Sequence, residues 1–591
     1  MMNREWDLSP LYKGFDDPQF AADMAALEQE VGTYCRLVSA LKQDNATEAA
    51  QLVCVLRSAE RVNDLAYRLA CYAALRSSVN TSDNEAVDAM GKVQKIESDC
   101  SGAEAVLMTF VGSLPELDAV IAQEPFLQEY RFFLNEKKEQ AKYALDEKVE
   151  DALAKMNLSG GAAWENLQAY LTSTVEADYR GKKIGLSEVR NLAYDPDPAV
   201  RKDAYDAELA CYDKIKDGVS FALNNLKLQV NTECELRKAD SPLEMTLRQS
   251  RMKRSTLDAM ITAIEEKLPI FWKYLKAKAK ALGYEGGLKW WDLFAPMGEN
   301  TATYTVEDAK NYLIDHFKGF APDIAALMER AFDEAWIDFY PHSGKVGGAF
   351  CENLPMIRQS RVLTNFDGAF GDIVTLAHEL GHAYHGSQIE DHRPLNLDYS
   401  MPVAETASTF NETVIMAAAL NEATDPKVKL GLLESQLQDT TQIMCDIMSR
   451  YWFETAAFKK AEDGFAFSDE LCSMMHEAQV RAYGDGIDPE TLHPYMWLCK
   501  SHYYSSGLSF YNFPYAFGGL FAAGLYAKYL QEGDAFLPKY RALLHATTVS
   551  TVEDVAKIAG IDLGDVNFWR SSLSIFEDRV NQFLALVEVQ E

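Results

Sequence analysis

The run His378-Glu379-Leu380-Gly381-His382 constrains the fold more than any other feature, because its chemistry works only on a helix. A step of four residues advances a helix by about 6 Å and returns to nearly the same azimuth, so the two imidazoles can converge on one ion. Glu379 lies about 100° around the axis from His378, where it flanks that ion without binding it and is free to take a proton. The chain has ten histidines, and an accidental match to this pattern is expected on the order of 0.01 times, so the spacing predicts a zinc site with its own base. The helix is expected to begin near Asp367, a capping residue, and to rest on the core through Phe370, Val374 and Ala377.

A catalytic zinc needs three protein ligands and one open position. The elongated pattern H-E-x-x-H-x-x-G-x-x-H is absent, since His385 stands where glycine is required and Gln388 where a third histidine would be. His385 lies about 10 Å along the axis from His378, too far to share the ion, which suits a role behind the ligands, facing substrate, or simply at the surface or in the structure. The segment Met401 to Glu412 reads as a second helix with Pro402 in its first turn, and it places Glu405 and Glu412 on one face. Carboxylates on a largely apolar face need partners. Glu405 is therefore assigned as the third ligand, and Glu412 as the acceptor for the remaining N–H of a zinc histidine, with solvated glutamates as the alternative.

With 591 residues, 48% of them hydrophobic, the chain has ample material for a large core or more than one domain. A formal charge of −32 repels phosphate backbones, and no basic patch offsets it, so nucleic acid is not an expected partner. Ten cysteines, scattered singly from Cys35 to Cys499 without a C-x-x-C pair, suit buried thiols in a reducing compartment. No secretory pattern follows Met1, and a cytoplasmic location is expected. The stretch from Ser501 to Ala527 has no formal charge except on His502, yet Asn512, Pro514 and several tyrosines suit lipid poorly, so it reads as a buried cavity wall and not a membrane span.

Amphipathic patterns predict helices over Phe20 to Leu41, Thr47 to Tyr72 and Glu85 to Val111. The turn cluster Tyr194-Asp195-Pro196-Asp197-Pro198 sets a coarse boundary between an N-terminal helical region, 1–195, and a catalytic region, 196–591. Between Gly287 and Arg361 aromatic, β-branched and glycine residues predict a small sheet, and from Met401 onward the chain is again nearly all helix.

The expected reaction is hydrolysis of a peptide bond by a zinc-activated water, with Glu379 as the general base that passes the proton to the departing amine. His502, Tyr511 and Tyr515 are candidate donors to the oxyanion, each contributing about 3 kcal/mol when aimed at it. Gly347-Gly348-Ala349-Phe350 could hold a peptide main chain as an added strand.

These residues resemble oligoendopeptidase F, within the zinc peptidases related to thimet oligopeptidase. The likeness runs through Trp6-Asp7-Leu8, Leu11-Tyr12, Gly347 to Phe350, Thr375 to His382, Glu405, Ser408, Phe410, Glu412, His502-Tyr503-Tyr504, Phe510-Tyr511 and Tyr515. It implies a mainly α, two-lobed, zincin-type peptidase with a deep substrate channel and a small β element near the active site. It also implies one zinc per chain on His378, His382 and Glu405, with Glu379 as base, and cytoplasmic cleavage of oligopeptides. If Tyr511 and Tyr515 are aligned with the thimet branch, its nearby histidine falls on Ser506 and a further tyrosine on Gly518. The alternatives are a zinc carboxypeptidase on a similar helical frame and a catalytically silent peptide-binding protein.

Overall fold

Helices dominate the computed structural model, which describes residues 4–41, 47–298 and 302–589. Their boundaries follow local chemistry. Asp17 accepts from Gln19 N ahead of helix Pro18–Ser39, and Thr47 accepts from Ala50 N ahead of helix Glu48–Val79. The third expected N-terminal helix is broken in two, Asn84–Ser98 and Ser101–Gly112, because the chain leaves helical pairing at Asp99 and Cys100. The cluster from Tyr194 to Pro198 is a turn in which Asp197 caps helix Pro198–Tyr212.

Three apolar cores hold these helices. One gathers side chains from Trp6 to Leu134, and another joins Val175 to Leu226 with Phe453 to Tyr504. The largest packs helix Arg254–Ala281 against Val566–Val589 and buries the back of the helix bearing the histidines. The cysteines are less uniformly buried than expected: Cys54 is exposed, and Cys35, Cys351, Cys472 and Cys499 are half-buried. No helix among the described residues is long and apolar enough to cross a membrane.

Two small sheets interrupt the helices. Strands β1 (Glu176–Tyr179) and β2 (Lys182–Gly185) form a hairpin for which the sequence reading made no allowance. The expected sheet is present as β3 (Ile337–Asp338), β4 (Phe350–Leu354) and β5 (Gln359–Leu363), in the order β3-β5-β4. Leu354 and Leu363 reach into the N-terminal core, and Tyr67 donates to Glu352 of β4 at 2.5 Å, so this sheet ties the N-terminal helices to the site.

Candidate active site

The motif helix spans Phe370–Ile389. Its start lies three residues beyond the expected Asp367, and Asp372, one turn in, accepts from the backbone N–H groups of Asp367, Gly368 and Ala369. A carboxylate there satisfies the otherwise unpaired donors and meets the positive end of the helix dipole. Ile373, Leu376, Ala377 and Leu380 are fully buried and form its back. Val374 is half-buried, packs against the same core as expected and also borders the catalytic cavity.

The glutamate segment also departs from the expected single helix. A short helix, Met401–Ala404, ends at Glu405, whose backbone (φ −92°, ψ 12°) breaks the turn before helix Thr406–Glu422 begins. Glu405 thus sits at a joint. Close approach of the two segments depends on Gly381, since a Cβ there would lie 2.6 Å from Ser408 Cα and 2.7 Å from Ala407 O. Asn411 donates to Ala377 O at 3.1 Å and Asn353 to His382 O at 3.3 Å, which fixes the motif helix from both sides.

At this joint three atoms converge. His378 Nε2 and His382 Nε2 are 3.2 Å apart, and Glu405 Oε2 lies 3.3 Å from the first and 3.2 Å from the second. Ligand atoms about 2.0–2.1 Å from a tetrahedral ion stand about 3.3 Å from one another, so this triangle has the size of one face of a zinc coordination tetrahedron. His378 Nδ1 is hydrogen-bonded to Glu412, and Ser408 Oγ donates to Glu405 Oε2 at 2.6 Å. Partners of this kind on the outer atoms fix a tautomer and a carboxylate orientation. A second cluster, Asp391, His392 and His545, lies at the surface.

The electrostatics agree with a site built for positive charge. Burial opposes protonation of His378, but its hydrogen bond to Glu412 and the carboxylates around it push its pKa up to about 9. Burial likewise opposes the charge on Glu405, yet His382, His378 and Ser408 hold its pKa at about 2. Glu379, 5% exposed, has its pKa raised by burial against the pull of the two histidines. His378, Glu379 and Glu412 line a cavity of about 450 Å³.

His502, Tyr511 and Tyr515 form a separate aromatic group. His502 Nε2 is 3.3 Å from the Tyr515 hydroxyl, and the two tyrosine rings are 5.2 Å apart. Burial and the nearby Arg450 and Lys500 lower the His502 pKa to about 4, so its ring is neutral at pH 7. Tyr515 opens helix Phe513–Glu532, and the same helix brings Gly518 against Glu405, where a Cβ would lie 3.2 Å from that of Glu405. A side chain at 518 would press on Glu405. Ser506 packs against Gly161, where an added Cβ would lie 2.6 Å from the Ser506 Cβ. His385 is buried, stacked on Tyr399 at 4.4 Å and bonded to Thr547 Oγ1 at 2.8 Å, which makes it structural.

Asp439 was not foreseen. It lines the catalytic cavity, and burial together with Glu412 raises its pKa to about 6. A lone carboxylate in a helical run gives no signal in sequence.

A profile described as "Peptidase family M3" matches residues 191–573, and one described as "Oligopeptidase F" matches 115–176. Oligopeptidase PepF of Bacillus subtilis is 25% identical over 93% of this chain and 83% of its own length. The chromosomal oligoendopeptidase F of Lactococcus lactis subsp. cremoris is 26% identical over 69% of this chain and 68% of its own. Among solved structures, oligoendopeptidase-F from Enterococcus faecium superposes with a TM-score of 0.72 at 20% identity, covering 97% of this chain and 99% of that one. Since the first profile alone takes in well over half of the sequence, including both segments that meet at Glu405, the chain belongs to peptidase family M3 and is a metalloendopeptidase of the oligoendopeptidase F kind.

Proposed function

We propose that the chain is a zinc-dependent endopeptidase that cuts internal bonds of oligopeptides, with His378, His382 and Glu405 as zinc ligands and Glu379 as general base. The supporting observation is the triangle of two imidazole nitrogens and one carboxylate oxygen at 3.2, 3.2 and 3.3 Å, spaced for one small cation. When bound, zinc supplies a positive charge that acidifies water and polarises the scissile carbonyl.

The chain's residues do the rest. Glu379, buried one step along the helix from His378, takes the proton from the attacking water and returns it to the departing amine. Glu412 holds His378 with its proton on Nδ1, so that Nε2 keeps its lone pair. Tyr511 and Tyr515 are the donors assigned to the oxyanion, and neutral His502 orients the Tyr515 hydroxyl. The free thiols suit a reducing compartment, and the cytoplasm is the proposed location.

The test uses internally quenched peptides blocked at both ends, digested with and without a chelator, with products read by mass spectrometry. Internal cleavage that stops with chelator and returns with zinc is expected. A strict requirement for a free C-terminus would assign the site to a carboxypeptidase instead.

A further inference from the structure

Next to the catalytic cavity lies another, of about 590 Å³, and Asp439 lines both. Three cationic side chains, Arg190, Arg201 and Lys500, stand in the walls of this second cavity. They differ in what they already hold. Arg201 is bound to buried Asp292 at 2.7 Å, and Arg190 has Glu208 at 3.2 Å. The Lys500 ammonium has neither a hydrogen bond nor an ion pair among the described residues, and the carboxylate that most favours its charge, Asp446, pairs through one oxygen with Arg450. Burial works against that charge, and Arg450 and Arg190 add repulsion.

A half-buried cation favoured only at a distance by Asp446 gains when an anion arrives to pair with it directly. Asp439 disfavours an anion at the junction of the two cavities, which leaves the wall around Lys500 and Arg190 as the place for one. Peptides bring carboxylates of two origins, the chain terminus and the side chains of Asp and Glu, with the same pair of oxygens. We propose that Lys500, with Arg190 beside it, binds a carboxylate of the peptide substrate in this second cavity while the scissile bond lies at Glu379. The inference rests on the peptidase reading above and gives the bound peptide a direction, its anionic group on the side of the second cavity.

Three internally quenched peptides of one sequence test it: a free C-terminal acid, the C-terminal amide, and an amide whose last residue is Glu. For the wild-type enzyme amidation is expected to raise KM about tenfold while changing kcat less than about twofold, the signature of a lost charged hydrogen bond in binding. Lys500→Met should treat acid and amide alike, at the KM that the wild type shows for the amide, whereas Lys500→Arg should keep the preference. Recovery of low KM by the Glu-ended amide assigns the site to carboxylates in general, and failure to recover assigns it to the terminus. Equal KM values for acid and amide in the wild type, or an undiminished gap in Lys500→Met, would overturn the inference while internal cleavage left the peptidase reading standing. Absence of internal cleavage in all three peptides would remove both.

Discussion

His378 and Glu412 are joined through Nδ1, which turns the opposite ring nitrogen toward Glu405 at 3.3 Å. One carboxylate thereby sets the tautomer of a ring whose other face points at a second carboxylate. Removing it in Glu412→Ala should weaken zinc binding by about 10- to 100-fold, and Glu412→Gln, which keeps an acceptor but not the charge, should fall between. Competition with a chromophoric chelator measures this. Unchanged affinity in Glu412→Ala would mean that the histidine is oriented by something else.

Gly381 predicts a packing effect that is separable from chemistry. A methyl group there meets backbone atoms of Ser408 and Ala407 at 2.6 and 2.7 Å, and backbone cannot swing aside. Gly381→Ala should lower stability by about 1–3 kcal/mol, as overpacked cores do. Gly518→Ala, facing the Glu405 Cβ at the looser 3.2 Å, should lose less stability. Denaturant midpoints for the two variants decide the order.

The motif helix and its two histidines were legible because i, i+4 spacing is a statement about helix geometry, independent of tertiary context. The break at Glu405 was not. No proline or glycine in Thr406 to Glu412 marks a break, and the joint shows only in the close packing of Gly381 and Gly518 against it. The β1–β2 hairpin escaped because Glu176 to Gly185 is too polar to show a strand pattern. Asp439 and Lys500 owe their importance to distant neighbours, Glu412 and Asp446, that no local pattern connects to them.

His385 carries a pH dependence of stability. Burial lowers its pKa to about 3, so the folded protein refuses a proton that the unfolded chain, with a pKa of about 6.5, accepts. Stability is therefore complete above pH 6.5 and lost as pH falls toward 3. Between pH 7.5 and 5.5 this residue should account for a loss of about 1.4 kcal/mol. His385→Gln, which can still reach Thr547, should shrink the difference in unfolding free energy between those two pH values by that amount.

The tyrosines predict a split in kinetic parameters. Tyr515→Phe and Tyr511→Phe each remove one hydroxyl while leaving the ring packing in place. If either donates to the oxyanion, its loss lowers kcat by about 10²-fold with KM nearly constant. A change confined to KM would make that residue a wall of the binding site.

The central claim is that one divalent cation sits on His378, His382 and Glu405. Crystals of zinc-loaded protein, with anomalous data collected on both sides of the zinc edge, test it directly. The account predicts a single strong peak within about 2.3 Å of His378 Nε2, His382 Nε2 and a Glu405 carboxylate oxygen. A peak at Asp391, His392 and His545 with none at the motif helix would contradict it.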